Sequence, residues 1–254
     1  MSPYSEWLRI LSWAYLSVSF VCAAIIIGDE LRRPQKMMIM NFVWPITALY
    51  LGPAALWGYL KSGLKMAQHP HPRSQRNPGA EPDALTREQV ALATTHCGAG
   101  CALGDIVSEW LVFAAALTFA GGQFPTRLTM DLLLGWAFGI VFQYYTIVPM
   151  RGLSFGKGLL QAMRADTLAI IAFEIGLFAW MTFAHYVLFP RPHLQPTDAA
   201  FWFMMQIGMI IGFFTSYPVN IFLLKTGWKE KMPLHQHEAM FENLDVSSGR
   251  SHAA

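Results

Sequence analysis

Cys97 and Cys101 stand four residues apart, and Asp105 four beyond, in the stretch Thr94-Thr95-His96-Cys97-Gly98-Ala99-Gly100-Cys101-Ala102-Leu103-Gly104-Asp105. On an α-helix that spacing puts two thiols and a carboxylate on one face. His96 is turned roughly 100° from Cys97 in the same geometry. Thiolate, imidazole and carboxylate suit soft transition metals, so Cys97, Cys101, His96 and Asp105 are candidate ligands for copper, or for zinc. No second cysteine pair completes a zinc-ribbon pattern. A disulfide between cysteines one turn apart is within reach, but an unbroken helix orients their Cβ atoms poorly for it. Cys97 beside His96 has the residue types of a nucleophilic pair, yet adjacent helical residues point apart, so no catalytic residue is assigned and an enzyme is the less favoured reading. The bland alternative is a packing turn, because Gly98, Gly100 and Gly104 let a neighbouring helix approach closely.

The elements that must hold these residues are apolar. Of 254 residues 54% are hydrophobic and 13% charged, and the mean hydropathy is +0.35, which is the composition of an integral membrane protein. The net charge is +2, with basic residues at the ends of apolar runs, which argues against nucleic-acid binding. Three cysteines give no disulfide framework, and Cys22 reads as a small apolar core residue.

Six segments are long enough to cross a bilayer of ~30 Å as helices: residues 7–28, 37–60, from a Thr86/Gln89 capping box to about 120, 128–150, 165–189 and 199–224. The first is too long for a signal peptide and lacks a cleavage site. Pro45 and Pro53 would kink the second, and the third is either begun by a surface turn or interrupted by the cysteine motif. The expected fold is an all-α membrane protein, a bundle of about six transmembrane helices. Residues 1–65 hold the first two helices, 66–88 a loop rich in Pro and His, 89–224 four helices with the motifs, and 225–254 a polar tail disordered after about Asp245. In that arrangement Arg32, Arg33, Lys36, Arg127 and Arg191 are the five basic residues on one side and the other thirteen share the side of both termini, which is then cytoplasmic.

Charges at membrane depth are costly and tend to be functional. Asp105 and Glu109 in the third helix, Asp166, Glu174 and His185 in the fifth, Tyr217 and Asn220 in the sixth and Arg151 after the fourth form either a solute pathway or a structural network, for instance Arg151 with Asp166. Glu174, Met181 and His185 share a stripe that Met204, Met205 and Met209 could face. His69, His71, His96, His235, His237 and His252 collect on the cytoplasmic side. Gly-x-x-x-Gly at Gly100/Gly104, Gly135/Gly139 and Gly208/Gly212 signals helix packing within a subunit or in a homo-oligomer.

Several stretches together resemble a family of bacterial multi-pass membrane proteins known as a domain of unknown function. They are Thr-His-Cys-Gly-x-Gly-Cys-x-Leu-Gly-Asp at 95–105, Pro-Met-Arg-Gly-Leu at 149–153, Ala165-Asp166, Phe-Glu-Ile-Gly at 173–176, Phe-Met-Met-Gln-Ile at 203–207, Ser-Tyr-Pro-x-Asn at 216–220 and Lys-Glu-Lys-Met at 229–232. The resemblance covers roughly residues 94–232 and implies a bacterial inner-membrane protein without an established activity. The leading functional expectation is a protein of the lipid bilayer that binds a soft transition metal, copper before others, and transports or senses it, through the Cys/His/Asp site at the cytoplasmic end of the third helix. The alternatives are a transporter of another solute or proton-coupled ion using the intramembrane carboxylates, and a non-catalytic scaffold or assembly factor.

Overall fold

Hydrocarbon tolerates only a backbone whose hydrogen bonds are satisfied internally, so apolar runs of this length become helices. The computed structural model describes residues 5–35, 37–64, 85–119 and 121–230, with the backbone alone at 149–151. Among the described residues five helices are long and apolar enough to cross a membrane: α1 (Glu6–Glu30), α4 (Arg87–Ala114), α5 (Gln123–Arg151), α6 (Phe155–Phe183, extended by a π turn Ala184–Leu188) and α7 (Ala199–Lys225). No strand occurs among the described residues, apart from an isolated bridge between Phe119 and Gly122. The all-α membrane bundle is as expected. The loop at 66–84, the tail beyond 230 and His69, His71, His235, His237 and His252 lie outside the described residues.

The second expected crossing is a hairpin instead. Helix α2 (Met40–Leu51) has 12 residues, about 18 Å at 1.5 Å per residue, which is too short for the bilayer. Gly52, at φ +53°, reverses the chain, and Pro53 starts α3 (Pro53–Gly58), which a π turn (Tyr59–Gly63) continues. The returning arm ends beside the start of α2. Trp44 and Tyr59 meet edge to face at 5.7 Å, Tyr59 Oη donates to Asp29 Oδ2 (2.7 Å), and Gln35 Nε2 donates to the Gly63 carbonyl (3.1 Å). Lys61 pairs with Glu88 (2.6 Å) at the head of α4. Residues 29–35, 59–64 and 87–88 therefore share one end of the bundle.

This corrects the count and the placement of the termini. With five long helices among the described residues, Ser5 and Lys229 lie at opposite ends of the bundle. Ser5 and Leu8 line a cleft with Leu188, Phe189, Pro190, Arg191 and Pro192 after α6, whereas Lys229 beyond α7 reaches Asp166 in the first half of α6. Residues 37–60 have the length and composition of a crossing. Hydropathy cannot separate a run that traverses lipid from one that doubles back inside protein.

A hairpin tip inside the membrane must have its terminal carbonyls satisfied by protein. Gln206 Nε2 of α7 donates to the Leu49 carbonyl (2.6 Å) and to Ser19 Oγ (3.2 Å). Tyr15 Oη of α1 donates to the Tyr50 carbonyl (3.3 Å).

Helix α4 runs unbroken through the cysteine motif from the Thr86/Gln89 capping box, in which Gln89 N donates to Thr86 Oγ1 (3.2 Å) and Thr86 N to Gln89 Oε1 (3.1 Å). Its glycines close on those of α5: a Cβ on Gly100 would lie 2.6 Å from Gly139 Cα, and one on Gly104 would overlap the Gly135 backbone. Gly176 and Gly212 bring α6 and α7 together in the same way, and Gly208 packs on Leu177. All three Gly-x-x-x-Gly pairs are thus used within one chain. Gly104→Ala is expected to cost about 1–3 kcal/mol by overpacking, while Gly28→Ala, where nothing lies within 4 Å of the new Cβ, should not destabilise and gains up to about 1 kcal/mol of helix propensity. Thermal unfolding in detergent compares the two.

Candidate functional site: a buried carboxylate and thiol core

Helix α4 carries Cys97, Cys101, Asp105 and Glu109 at four-residue steps, and α5 carries Arg127, Asp131, Gly135 and Gly139 at the same steps. Such residues form one stripe on each helix. The antiparallel packing sets Gly100 against Gly139 and Gly104 against Gly135, then Ser108 beside Asp131 and Glu109 against Arg127. The seam is bare glycine in one half and polar in the other.

Glu174 of α6 enters where the seam changes. Its Oε1 lies 2.8 Å from the position a Gly135 Cβ would take, with Cys101 Cα at 3.5 Å and Asp105 Oδ1 at 3.7 Å from the same point. Glycine at 135 therefore leaves the room in which the carboxyls of α4 and α6 approach each other. The Cys101 thiol neighbours both Cys97 and Glu174. From the hairpin tip, Tyr50 sets its Oη 2.6 Å from the Cβ position of Gly98, with its ring edge-on to Phe173 at 6.4 Å.

Cys97, Cys101, Asp105 and Glu174 are at most 1% exposed, and so is Tyr50. Among the described residues both carboxylate oxygens of Asp105 lack a hydrogen-bond partner, and Glu174, Asp131 and Tyr50 have only the loose approaches of the Cys101 thiol and the Ser108 and Thr47 hydroxyls. Each unsatisfied buried polar group costs about 1–3 kcal/mol, so a cluster of them is a poor way to stabilise a bundle. It is the signature of a site.

An ion pair closes each end of this core. Beyond Asp131, Arg127 Nε lies 3.4 Å from Glu109 Oε2, its Nη2 donates to Gln195 Oε1 (2.8 Å), and the guanidinium sits 5.7 Å over the Phe201 ring. A pocket lined by Glu109, Phe124, Arg127, Asp131, Met181 and His185 lies there. At the other end Lys229 Nζ donates to Asp166 Oδ1 (2.6 Å), Asn220 Oδ1 (2.9 Å) and the Ala93 carbonyl (3.2 Å). Between the two pairs Asp105, Asp131 and Glu174 interact with one another electrostatically, and Arg127 is the cation that reaches any of them.

The residues singled out in the sequence divide between these places. Cys97, Cys101, Asp105 and Glu174 come together at the centre. His96 leaves the thiols: its Nε2 is 3.2 Å from Thr146 Oγ1, and it interacts with Asp166 and Lys229 at the far closure. Among the described residues no three of His, Cys, Asp and Glu gather closely enough to hold a metal. Asn220 belongs with Asp166 and Lys229, and Glu109 with Arg127. The Arg151 side chain lies outside the described ones, and the partner of Asp166 is Lys229. His185 stacks between Phe124 (4.0 Å) and His193 (3.9 Å), while Met181 of the same stripe joins Met204, Met205 and Met209 in the apolar core with Phe173 and Leu177. Tyr217 is at the rim, with its hydroxyl 3.4 Å from the Arg87 carbonyl. Tyr50, Arg127, Asp131 and Lys229 are the members that sequence reasoning missed.

Residues 86–229 match the family described as Domain of unknown function (DUF4396). That segment contains the thiols, the four carboxylates Asp105, Glu109, Asp131 and Glu174 and both ion pairs, whereas the hairpin precedes it. No curated protein and no solved structure matches the chain.

Proposed function

We propose that this chain, which belongs to the DUF4396 family, is a membrane carrier that moves a proton or another small cation through its buried carboxylates. Asp105 and Glu174 bind the cation at the centre, and Asp131 relays it toward the Glu109–Arg127 closure. The observation that carries the reading is the set of three carboxyls between two ion pairs, buried and largely unpartnered beside a hairpin tip. Interrupted backbone at membrane depth belongs where it lines a path or is enclosed by protein.

Charge bias supports an orientation. Arg32, Arg33, Lys61, Arg87, Arg151, Lys157, Arg164, Lys225 and Lys229 lie at the end of the bundle that holds the C-terminus of α7, and Arg9, Arg127 and Arg191 at the other. Nine against three among the described residues supports a cytoplasmic Lys229 end, and the bacterial inner membrane is the setting that the family resemblance implies. The test is cation entry into proteoliposomes under an imposed negative-inside potential. Flux above that of protein-free liposomes is expected, and its absence for proton, sodium and potassium would defeat the reading.

A narrower reading is favoured by the thiols. Cys101 beside Cys97 offers two soft donors to a copper or zinc cargo; His96 is too far round the helix to join them, and a third protein ligand would require Glu174 or Asp105 to move in, since no three such groups gather among the described residues. Metal content then decides: the purified wild type should hold about one equivalent and the Cys97→Ser/Cys101→Ser variant none. Equal content in both removes the soft-metal version and leaves the carrier.

A further inference from the structure

We propose that Asp166, Asn220 and the Ala93 carbonyl form a binding site for a monovalent cation of potassium or ammonium size, and that Lys229 is the tethered cation that competes for it. The identity of the competitor as transported cargo rests on the carrier reading above; the site itself does not.

The geometry is that of a coordinated cation. Lysine has three donors and no acceptor, and the three oxygens at 2.6, 2.9 and 3.2 Å come from α6, α7 and α4 in turn. Asp166 and Asn220 are fully buried and Lys229 is 2% exposed, so the ammonium stands inside the bundle where an ion would. Two further buried atoms have no partner, Asp166 Oδ2 and the neighbouring His96 Nδ1. The carboxylate thus keeps an unused oxygen for a ligand, beyond the one it gives to Lys229.

The lysine is not built into a crossing. It follows the end of α7 on a short turn that folds back, its own N–H donating to the Leu223 carbonyl (3.1 Å). Gly227 in that turn has φ +73° with open space around its Cβ position. Withdrawing the side chain needs this turn to open and leaves α4, α6 and α7 packed. A buried carboxylate that lost a cation would stand uncompensated. A lysine that returns as the ion leaves covers the charge, so an emptied carrier can reset without a bare anion in the membrane.

The experiment is thermal unfolding of the full-length purified protein in ammonium, potassium or choline chloride at equal ionic strength. Lys229→Ala should melt below wild type in choline and rise by roughly 3–8 °C in saturating ammonium or potassium. Wild type, with its site filled, should not distinguish the salts, nor should Asp166→Asn/Lys229→Met, which folds without either charge. A Lys229→Ala protein with the same melting point in all three salts, or unfolded in all three while the double variant folds, overturns the inference. A salt response in Lys229→Ala alongside a wild type that moves no cation keeps the site and removes the carrier.

Discussion

Glu174→Gln is expected to lower cation flux by about 100-fold, equivalent to about 2.7 kcal/mol on the transport barrier, without unfolding the bundle. Glutamine keeps the shape of the side chain and removes its ability to bind and release a cation. The Cys101 thiol is the one hydrogen-bonding neighbour of the Glu174 carboxyl, and the glutamine amide oxygen can still accept from it, so little fixed structure is lost with the carboxyl. Glu174→Asp should retain part of the flux, because a carboxyl remains but stands back from Asp105. Asp105→Asn should behave as Glu174→Gln does. Cys97→Ser/Cys101→Ser separates the two versions of the proposal: it leaves proton or alkali-cation flux intact and abolishes soft-metal flux. Flux measured in proteoliposomes, with folding checked by gel filtration, reads all of these. Wild-type flux in Glu174→Gln would remove the carboxyl from the path.

The second large effect is on stability. Arg127→Met is expected to cost about 3–5 kcal/mol, because it strands Glu109 as a buried charge. Both side chains of the pair are under 10% exposed, so water cannot take over from the guanidinium, and the hydrogen bond to Gln195 goes too. Glu109→Gln/Arg127→Met should recover most of the loss, since a neutral pair of similar volume has no charge to compensate. Thermal unfolding of the two single variants and the double variant closes the cycle. A single Arg127→Met as stable as wild type would mean that the pair is not the closure described.

Much of the core was legible from spacing. Steps of four residues placed Cys97, Cys101 and Asp105 on one face, and depth in an apolar run singled out Glu109, Asp166, Glu174 and Asn220. The glycine pairs announced the close helix contacts that let these groups converge. Asp131 carries the same signal as Asp105, a lone carboxylate inside an apolar run. Arg127 stood so near the Gly121–Gly122 turn that it passed for a loop charge. Lys229 lies past the end of the last crossing, and nothing in composition tells that a turn will fold it back between three helices. The hairpin escaped for a related reason: Gly52-Pro53 serves equally as a kink and as a reversal, and the choice is made by Gln206 and Tyr15, distant in sequence, which satisfy the tip. His96 was adjacent to the thiols in sequence, but the helix turns it toward Thr146.

The most direct test follows carbodiimide modification, which couples to carboxyl groups held away from water, by mass spectrometry while flux is recorded on the same proteoliposomes. The expected result is label on Glu174 or Asp105 and flux that declines in step with it. Full labelling of both residues with flux unchanged would contradict the account.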